Sequence, residues 1–293
     1  MKRVLITGAN KGIGRALVAK VLEQGDDTFA ILGSRDLGRG QEAKQQLLAE
    51  HPEWSERIWV LPLDVSDDAS VAQAAQDVKA KFAEDAPLYG IINNAGIGLG
   101  ADSLQLVLEV NVLGIHRVCS AFVPFLSTQG RVVNITSASG PNFVNQCGPD
   151  MQQFFLNKNI TWAELESLVQ ESIGMSGNAD AFEARGLGSG NAYGLSKALA
   201  NSYTMLLARE NPNLTINACT PGFIETDLTR PYAESSGRSP AEMGMKSPAE
   251  GTRSAIHLMF GNVEASGHYY GSDAQRSPLD RYRSPGDPPY KGD

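Results

Sequence analysis

The chain has 293 residues, with 25 Lys plus Arg against 33 Asp plus Glu and a formal net charge of −8. Hydrophobic residues make up 42%, and 30 glycines and 15 prolines are spread through the rest, a composition that can bury a sizeable core and excludes a disordered or collagenous chain. The length allows one large domain or two small ones, and the acidic balance argues against a nucleic-acid partner or an anionic membrane surface, since both need clustered positive charge.

The N-terminus has a basic start but only three apolar residues before a turn, too few for a secretory signal. Residues 4–7 read as a strand that ends at Thr7-Gly8-Ala9-Asn10-Lys11-Gly12-Ile13-Gly14, and residues 13–23 follow at helical spacing. A strand that turns sharply into a helix leaves backbone N–H groups aimed above it, and glycines let a pyrophosphate approach them. The spacing is G-x-x-x-G-x-G, and its place in a βαβ unit makes it a candidate cofactor loop.

Residues 28–32 read as a second strand, followed by Gly33-Ser34-Arg35 and a polar helix over about 40–50. A carboxylate at the end of this strand would bind a ribose 2′-OH and repel a 2′-phosphate. Ser34 stands there instead, and Arg35 offers a fork for phosphate that Lys11 could also reach, so NADP is expected. A one-residue shift that brought Asp36 to that place would favour NAD.

Residues 58–63 read as a third strand ending at Asp64-Val65, 70–82 as a helix, and 88–92 as a fourth strand ending at Asn93-Asn94-Ala95-Gly96. Ligands bind at such carboxyl ends in open α/β sheets, although Asp64 could equally cap a helix and the Asn pair make a turn. A long helix then ends near Leu126. Its apolar stretch is interrupted by Glu109, Asn111, His116 and Arg117, so no segment is expected to span a membrane. Residues 131–135 and 214–219 are the fifth and sixth strands. Near-continuous apolar strands that alternate with helices predict a Rossmann-type, doubly wound parallel sheet.

Two stretches break the rhythm. Residues 141–190 replace a short connection, and within them Thr161-Trp162-Ala163-Glu164 fits a capping box ahead of Leu165, Leu168, Val169 and Ile173, which predicts a helical insertion. Residues 275–293 carry Pro278, Pro285, Pro288 and Pro289 among charges and are expected to be an irregular tail after a domain spanning 1–274. Cys119, Cys147 and Cys219 are odd in number and lack metal-like spacing, and His116 and His268 do no better, so neither a disulfide framework nor a metal is expected. Sequons at Asn134, Asn159 and Asn213 need a secretory route that the N-terminus does not offer, and a cytoplasmic protein is expected.

The remaining chemistry lies in Ser137, after the fifth strand, and in Tyr193 and Lys197, four apart on one helix face. Tyrosine titrates near ~10, and a neighbouring ammonium favours its phenolate.

In this order, the glycine turn, Asn93-Asn94-Ala95-Gly96, Asn111, Ser137, Tyr193-Gly194-Leu195-Ser196-Lys197 and Pro221-Gly222 resemble the short-chain dehydrogenase/reductase family over about residues 2–272. The turn, Ser34-Arg35-Asp36 with Arg39-Gly40-Gln41, and the insertion before Tyr193 look more narrowly like the monomeric NADPH-dependent carbonyl reductases, whose insertion covers the usual dimer face. The resemblance implies that Tyr193 is the general acid, that Ser137 binds the substrate oxygen, and that Lys197 lowers the tyrosine pKa and binds the nicotinamide ribose. It implies that Asn111 holds a water linking Lys197 to solvent. Gly8, Asn10, Lys11, Gly12, Ile13, Gly14, Arg35, Asp64, Val65, Asn93, Ala95 and Gly96 would hold the phosphates and the adenosine half, and Pro221, Gly222, Ile224 and Thr226 the nicotinamide amide. The expected activity is reduction of a small apolar aldehyde or ketone with NADP(H). Oxidation of a steroid-like secondary alcohol and a catalytically idle dinucleotide-binding protein are the alternatives.

Overall fold

Strands form where the sequence runs apolar and β-branched without interruption. The computed structural model, which describes residues 1–83, 85–98, 103–263 and 265–292, places β1 at Lys2–Ile6, β2 at Thr28–Ser34, β3 at Ile58–Pro62 and β4 at Leu88–Asn93. β5 follows at Leu126–Ile135, β6 at Thr215–Cys219, β7 at Tyr269–Tyr270 and β8 at Arg276–Ser277. They join one sheet in the order β3-β2-β1-β4-β5-β6-β7-β8, in which only the last pair is antiparallel. Strand order reverses at β1, which pairs with β2 on one side and β4 on the other, so a crevice opens there at the carboxyl ends.

Twelve α-helical segments accompany the sheet among the described residues: α1 Gly12–Leu22, α2 Leu37–Glu50, α3 Asp68–Phe82, α4 Leu104–Leu108, α5 Gly114–Phe122, α6 Ser139–Gln146, α7 Pro149–Leu156, α8 Trp162–Gly174, α9 Ala179–Ala184, α10 Ala192–Glu210, α11 Arg230–Ser236 and α12 Arg253–Phe260. One core packs Leu5, Ile31, Ile91 and Val132 against Val78, Val118, Phe122 and Leu199. The other packs Ile6, Leu32, Ile92 and Val133 against Leu17, Val21, Leu47 and Leu258. Both faces of the sheet are therefore dry, which is why the parallel strands read as continuous apolar runs.

Several boundaries differ from those predicted. α2 begins at Leu37 rather than near 40, because Asp36 caps it by accepting from the Arg39 N–H. Asp36 is therefore a helix cap, and Ser34 is the last residue of β2. Asp67, not Asp64, caps α3; Asp64 instead accepts from the backbone and hydroxyl of Ser66. β5 starts at Leu126, five residues before the predicted 131, because the preceding helix already ends in a 3₁₀ turn at Val123–Phe125.

Between α4 and α5, residues Glu109–Leu113 form a π-turn with the buried Asn111 at its centre. By length and composition the run Leu104–Phe125, with a mean hydropathy of 1.6, could cross a membrane, contrary to the expectation from its polar interruptions. Here Val107, Leu108, Val112, Val118 and Phe122 are buried in the core, which accounts for the apolar composition.

The long connection is helical, as α6 to α9. Thr161 and Glu164 close a reciprocal capping box at the start of α8. The tail is less irregular than expected: β8 falls within it, and Arg283 forms a partly buried ion pair with Asp273, which also accepts from the Gly286 N–H. Asp293, the last residue of the tail, lies outside the described residues. Asn134 is fully buried and donates to Thr204, so its sequon is not presented.

Candidate active site

The carboxyl ends of β1, β4, β5 and β6 surround a cleft of about 800 Å³. At one end lies the glycine turn. Gly8 and Gly12 have φ of +61° and +53°, a left-handed conformation that favours glycine. A Cβ at Gly8 would come within 2.8 Å of Ala95 Cα, and one at Gly14 would strike the Gly8 carbonyl and Ala9. The turn is thus bare because β1, α1 and the loop after β4 are pressed together. Asn94 bolts this junction by donating to the Thr7 and Gly8 carbonyls, while the Thr7 hydroxyl accepts from the N–H groups of Asn94 and Ala95.

α2, α3, α4, α8, α9 and α10 each have a side-chain cap from Asp36, Asp67, Ser103, Thr161, Asn178 and Asn191. α1 starts on Lys11 with none. Its first N–H groups and the positive end of its dipole are therefore left for an anion above the turn. With Arg35 on the same cleft, these residues fit the phosphates of a dinucleotide. Lys11, expected to reach the 2′-phosphate, instead pairs with Asp227 at 2.8 Å, and that pair holds the Asp227 carboxyl below the usual range.

The other end gathers Ser137, Tyr193 and Lys197. β5 delivers Ser137, and the Asn191 cap starts α10 so that Tyr193 and Lys197 face the cleft one turn apart. Lys197 Nζ lies 5.5 Å from the centre of the Tyr193 ring and donates to the Ile135 carbonyl at 3.1 Å. Burial pushes the Lys197 ammonium down to about 8. Burial also raises the Tyr193 phenol, and its hydrogen-bond contact with Ser137 opposes that rise. The sequence expectation of a lowered tyrosine pKa is therefore not met by the protein groups alone: desolvation outweighs the hydrogen bond, and both groups are driven towards their neutral forms.

Of the expected site residues, Gly8, Asn10, Lys11, Gly12, Ile13, Gly14, Arg35, Asp64, Val65, Ala95, Gly96, Ser137, Tyr193, Lys197, Pro221, Gly222, Ile224 and Thr226 line the cleft. Asn93 does not. It is the last residue of β4, and its amide turns into the core, donating to Asn134 and Cys119. Asn111 also lies behind the wall, where its amide accepts from the Ile97 N–H and donates to the Ile97 carbonyl and the Ser196 hydroxyl. Cys219 is buried, which pushes its thiol up to about 12, and it faces no part of the cleft.

The sequence reading missed Asn94, Ser139 and Asn191 as cleft residues. Asn191 carried a usable signal, since Asn is a strong N-cap ahead of an apolar helix. For Asn94 the signal was ambiguous, because which member of an Asn pair faces the ligand depends on where the strand ends.

Residues 2–148 match the family model described as short chain dehydrogenase. The chain is 32% identical over 278 residues to Carbonyl reductase [NADPH] 1 of Homo sapiens, covering 90% of this chain and 92% of the human protein. It is 30% identical over 280 residues to the protein of the same name from Sus scrofa, covering 90% and 88%. Among solved structures, salutaridine reductase from Papaver somniferum superposes with a TM-score of 0.76 at 23% identity, over 92% of this chain and 99% of that one. An NADPH-bound carbonyl reductase from chicken fatty liver gives 0.65 at 22% identity, over 94% and 98%. The fold, the ordered motifs and this full-length similarity lead to one conclusion: the chain belongs to the short-chain dehydrogenase/reductase family, and it is an oxidoreductase.

Proposed function

We propose that this enzyme reduces the carbonyl group of small, rather apolar aldehydes or ketones to the alcohol, with NADP(H) as its cofactor. The carrying observation is the convergence of Ser137, Tyr193 and Lys197 at one end of a cleft whose other end offers an uncapped helix N-terminus and Arg35. When bound, NADPH supplies the hydride. The backbone N–H groups at the start of α1 and the Arg35 guanidinium hold its phosphates, and Lys197 holds the ribose beside the nicotinamide. The Ser137 hydroxyl donates to the substrate oxygen as negative charge develops on it, and Tyr193 gives that oxygen its proton. Burial supports this role, because a phenol kept above its ordinary pKa is fully protonated at neutral pH. Phe223 and Leu228 supply apolar wall at the mouth.

The helical insertion supports a monomer. α8 packs on α4 and α10, and Trp162 stacks on His116 of α5 with ring centres 3.6 Å apart. Three buried free thiols fit a reducing, cytoplasmic setting.

A steady-state assay of NADPH oxidation with a broad panel of aldehydes and ketones tests the activity. Cofactor binding without turnover on that panel would favour an idle dinucleotide-binding protein. Tyr193→Phe should abolish turnover and leave the NADPH dissociation constant near that of the wild type; retained turnover would remove Tyr193 as the acid.

A further inference from the structure

Ser137 has one hydroxyl proton and several oxygens within its reach. Ser139, two residues on, opens α6, so the strand-to-helix turn folds back over the Ser137 side chain. The Ser139 N–H donates to Ser137 Oγ at 3.1 Å. The Ser137 hydroxyl lies 3.2 Å from Ser139 Oγ and donates to it. It also lies within hydrogen-bond reach of the Tyr193 phenol, and all three side chains line the same cleft. A hydroxyl carries one proton and two acceptor lone pairs, so Ser137 donates to only one of Ser139, Tyr193 and a substrate oxygen at a time. Among the described residues, the Ser139 side chain has Ser137 as its hydrogen-bond partner.

A pair of hydroxyls can run in either direction, because each oxygen can donate or accept and each hydrogen rotates. We infer that Ser139 is a positioning residue for Ser137: its hydroxyl holds the Ser137 proton while no carbonyl is bound, and reverses to donate to Ser137 Oγ when a substrate oxygen takes that proton. In the reversed arrangement Ser137 Oγ accepts from both the N–H and the O–H of Ser139 and donates once, which fills its capacity. Hydrogen bonds in a chain polarise one another, so the donation to the substrate strengthens as negative charge builds on its oxygen. The backbone N–H persists in any non-proline variant at this position. Only the side chain supplies the reversible partner.

This inference rests on the role given to Ser137 above, and the test separates the two. Wild type, Ser137→Ala, Ser139→Ala and the double variant are compared at saturating NADPH with the carbonyl compound turned over fastest in the panel. Ser139→Gly serves as a second removal of the hydroxyl and Ser139→Thr as the conservative variant. Ser139→Ala should lower kcat about tenfold, the usual effect of one lost hydrogen bond, with Tm and NADPH affinity unchanged. Ser137→Ala should cost a hundredfold or more, and the double variant should be no slower than Ser137→Ala, since Ser139 acts only through Ser137. In Ser139→Ala the alkaline limb of the kcat/KM profile, which reports the free enzyme, should move to lower pH, because with no carbonyl bound the freed Ser137 proton donates to Tyr193 and favours its phenolate. Ser139→Thr should restore both the rate and the limb. An unchanged kcat in Ser139→Ala and Ser139→Gly, beside an inactive Ser137→Ala, would overturn the inference and leave the proposed function standing. An additive loss in the double variant, or no rescue by threonine, would make Ser139 merely structural. An active Ser137→Ala would remove the role of Ser137 itself, and Ser139 with it.

Discussion

Lys197 shows what the site costs at the level of single residues. Its ammonium is buried and donates to one carbonyl, and its pKa falls from 10.5 to about 8. A folded-state pKa below the unfolded value means that the unfolded chain binds the proton more tightly between pH 8 and 10.5, so stability rises with pH across that window. Lys197→Met, of similar length and uncharged, should therefore stabilise the fold at pH 7 by up to about 3 kcal/mol. The advantage should fade as pH rises through the window, while turnover is lost. Denaturant unfolding at several pH values measures it, and a variant less stable than wild type at pH 7 would refute the reading. Arg35 is the second test. It borders the cleft directly after Ser34, and Asp36, the residue that could have reversed the cofactor preference, is committed to capping α2. Arg35→Ala should weaken NADPH by at least tenfold, one charge-assisted contact, and NADH far less. Titration with both cofactors decides, and equal losses would mean that Arg35 never meets the phosphate.

At the level of elements, the close approach of α1 to β1 and to the loop after β4 governs the site. The glycine turn is less a flexible loop than a three-way junction, in which Gly14 leaves room for the Gly8 carbonyl and for Asn94. A methyl at Gly14 would lie 2.8 Å from Ala9 Cα, so the helix start must move. Gly14→Ala should cost roughly 1–3 kcal/mol of stability, as overpacking does, and should weaken NADPH binding more than Arg35→Ala, because it displaces every N–H group at the start of α1. Calorimetric titration would check the order. The π-turn at Glu109–Leu113 is the other local departure beside the cleft: it sets Asn111 to hold Ile97 and Ser196, joining the loop after β4 to α10, the helix that carries Tyr193 and Lys197.

At the scale of the molecule, the sheet places every cleft element at one edge, and the additions to it settle what surrounds the cleft. The insertion lays α8 across α4 and α10. Sedimentation should therefore report a monomer at micromolar concentration; a stable dimer would show that this face, or another, still pairs. The tail closes the far edge of the sheet, where β8 adds to β7 and the partly buried Arg283–Asp273 pair ties down the proline-rich end.

Much of this was legible in the sequence, because local chemistry has a local signature. Continuous apolar runs announced the parallel strands, glycines the tight first turn, Thr161 with Glu164 a helix start, and the four-residue step from Tyr193 to Lys197 a shared helix face. Other features depend on partners distant in the chain, and only the tertiary structure decided them. Asn93 turns inward because Asn134 and Cys119 wait there, and Lys11 finds Asp227, more than two hundred residues away in sequence. The tail is ordered because Asp273 accepts from Arg283 and from the Gly286 N–H. The pKa values of Tyr193 and Lys197 belong to the same class: sequence supplies the ionisable groups, but desolvation by the packed fold sets which charge each can hold.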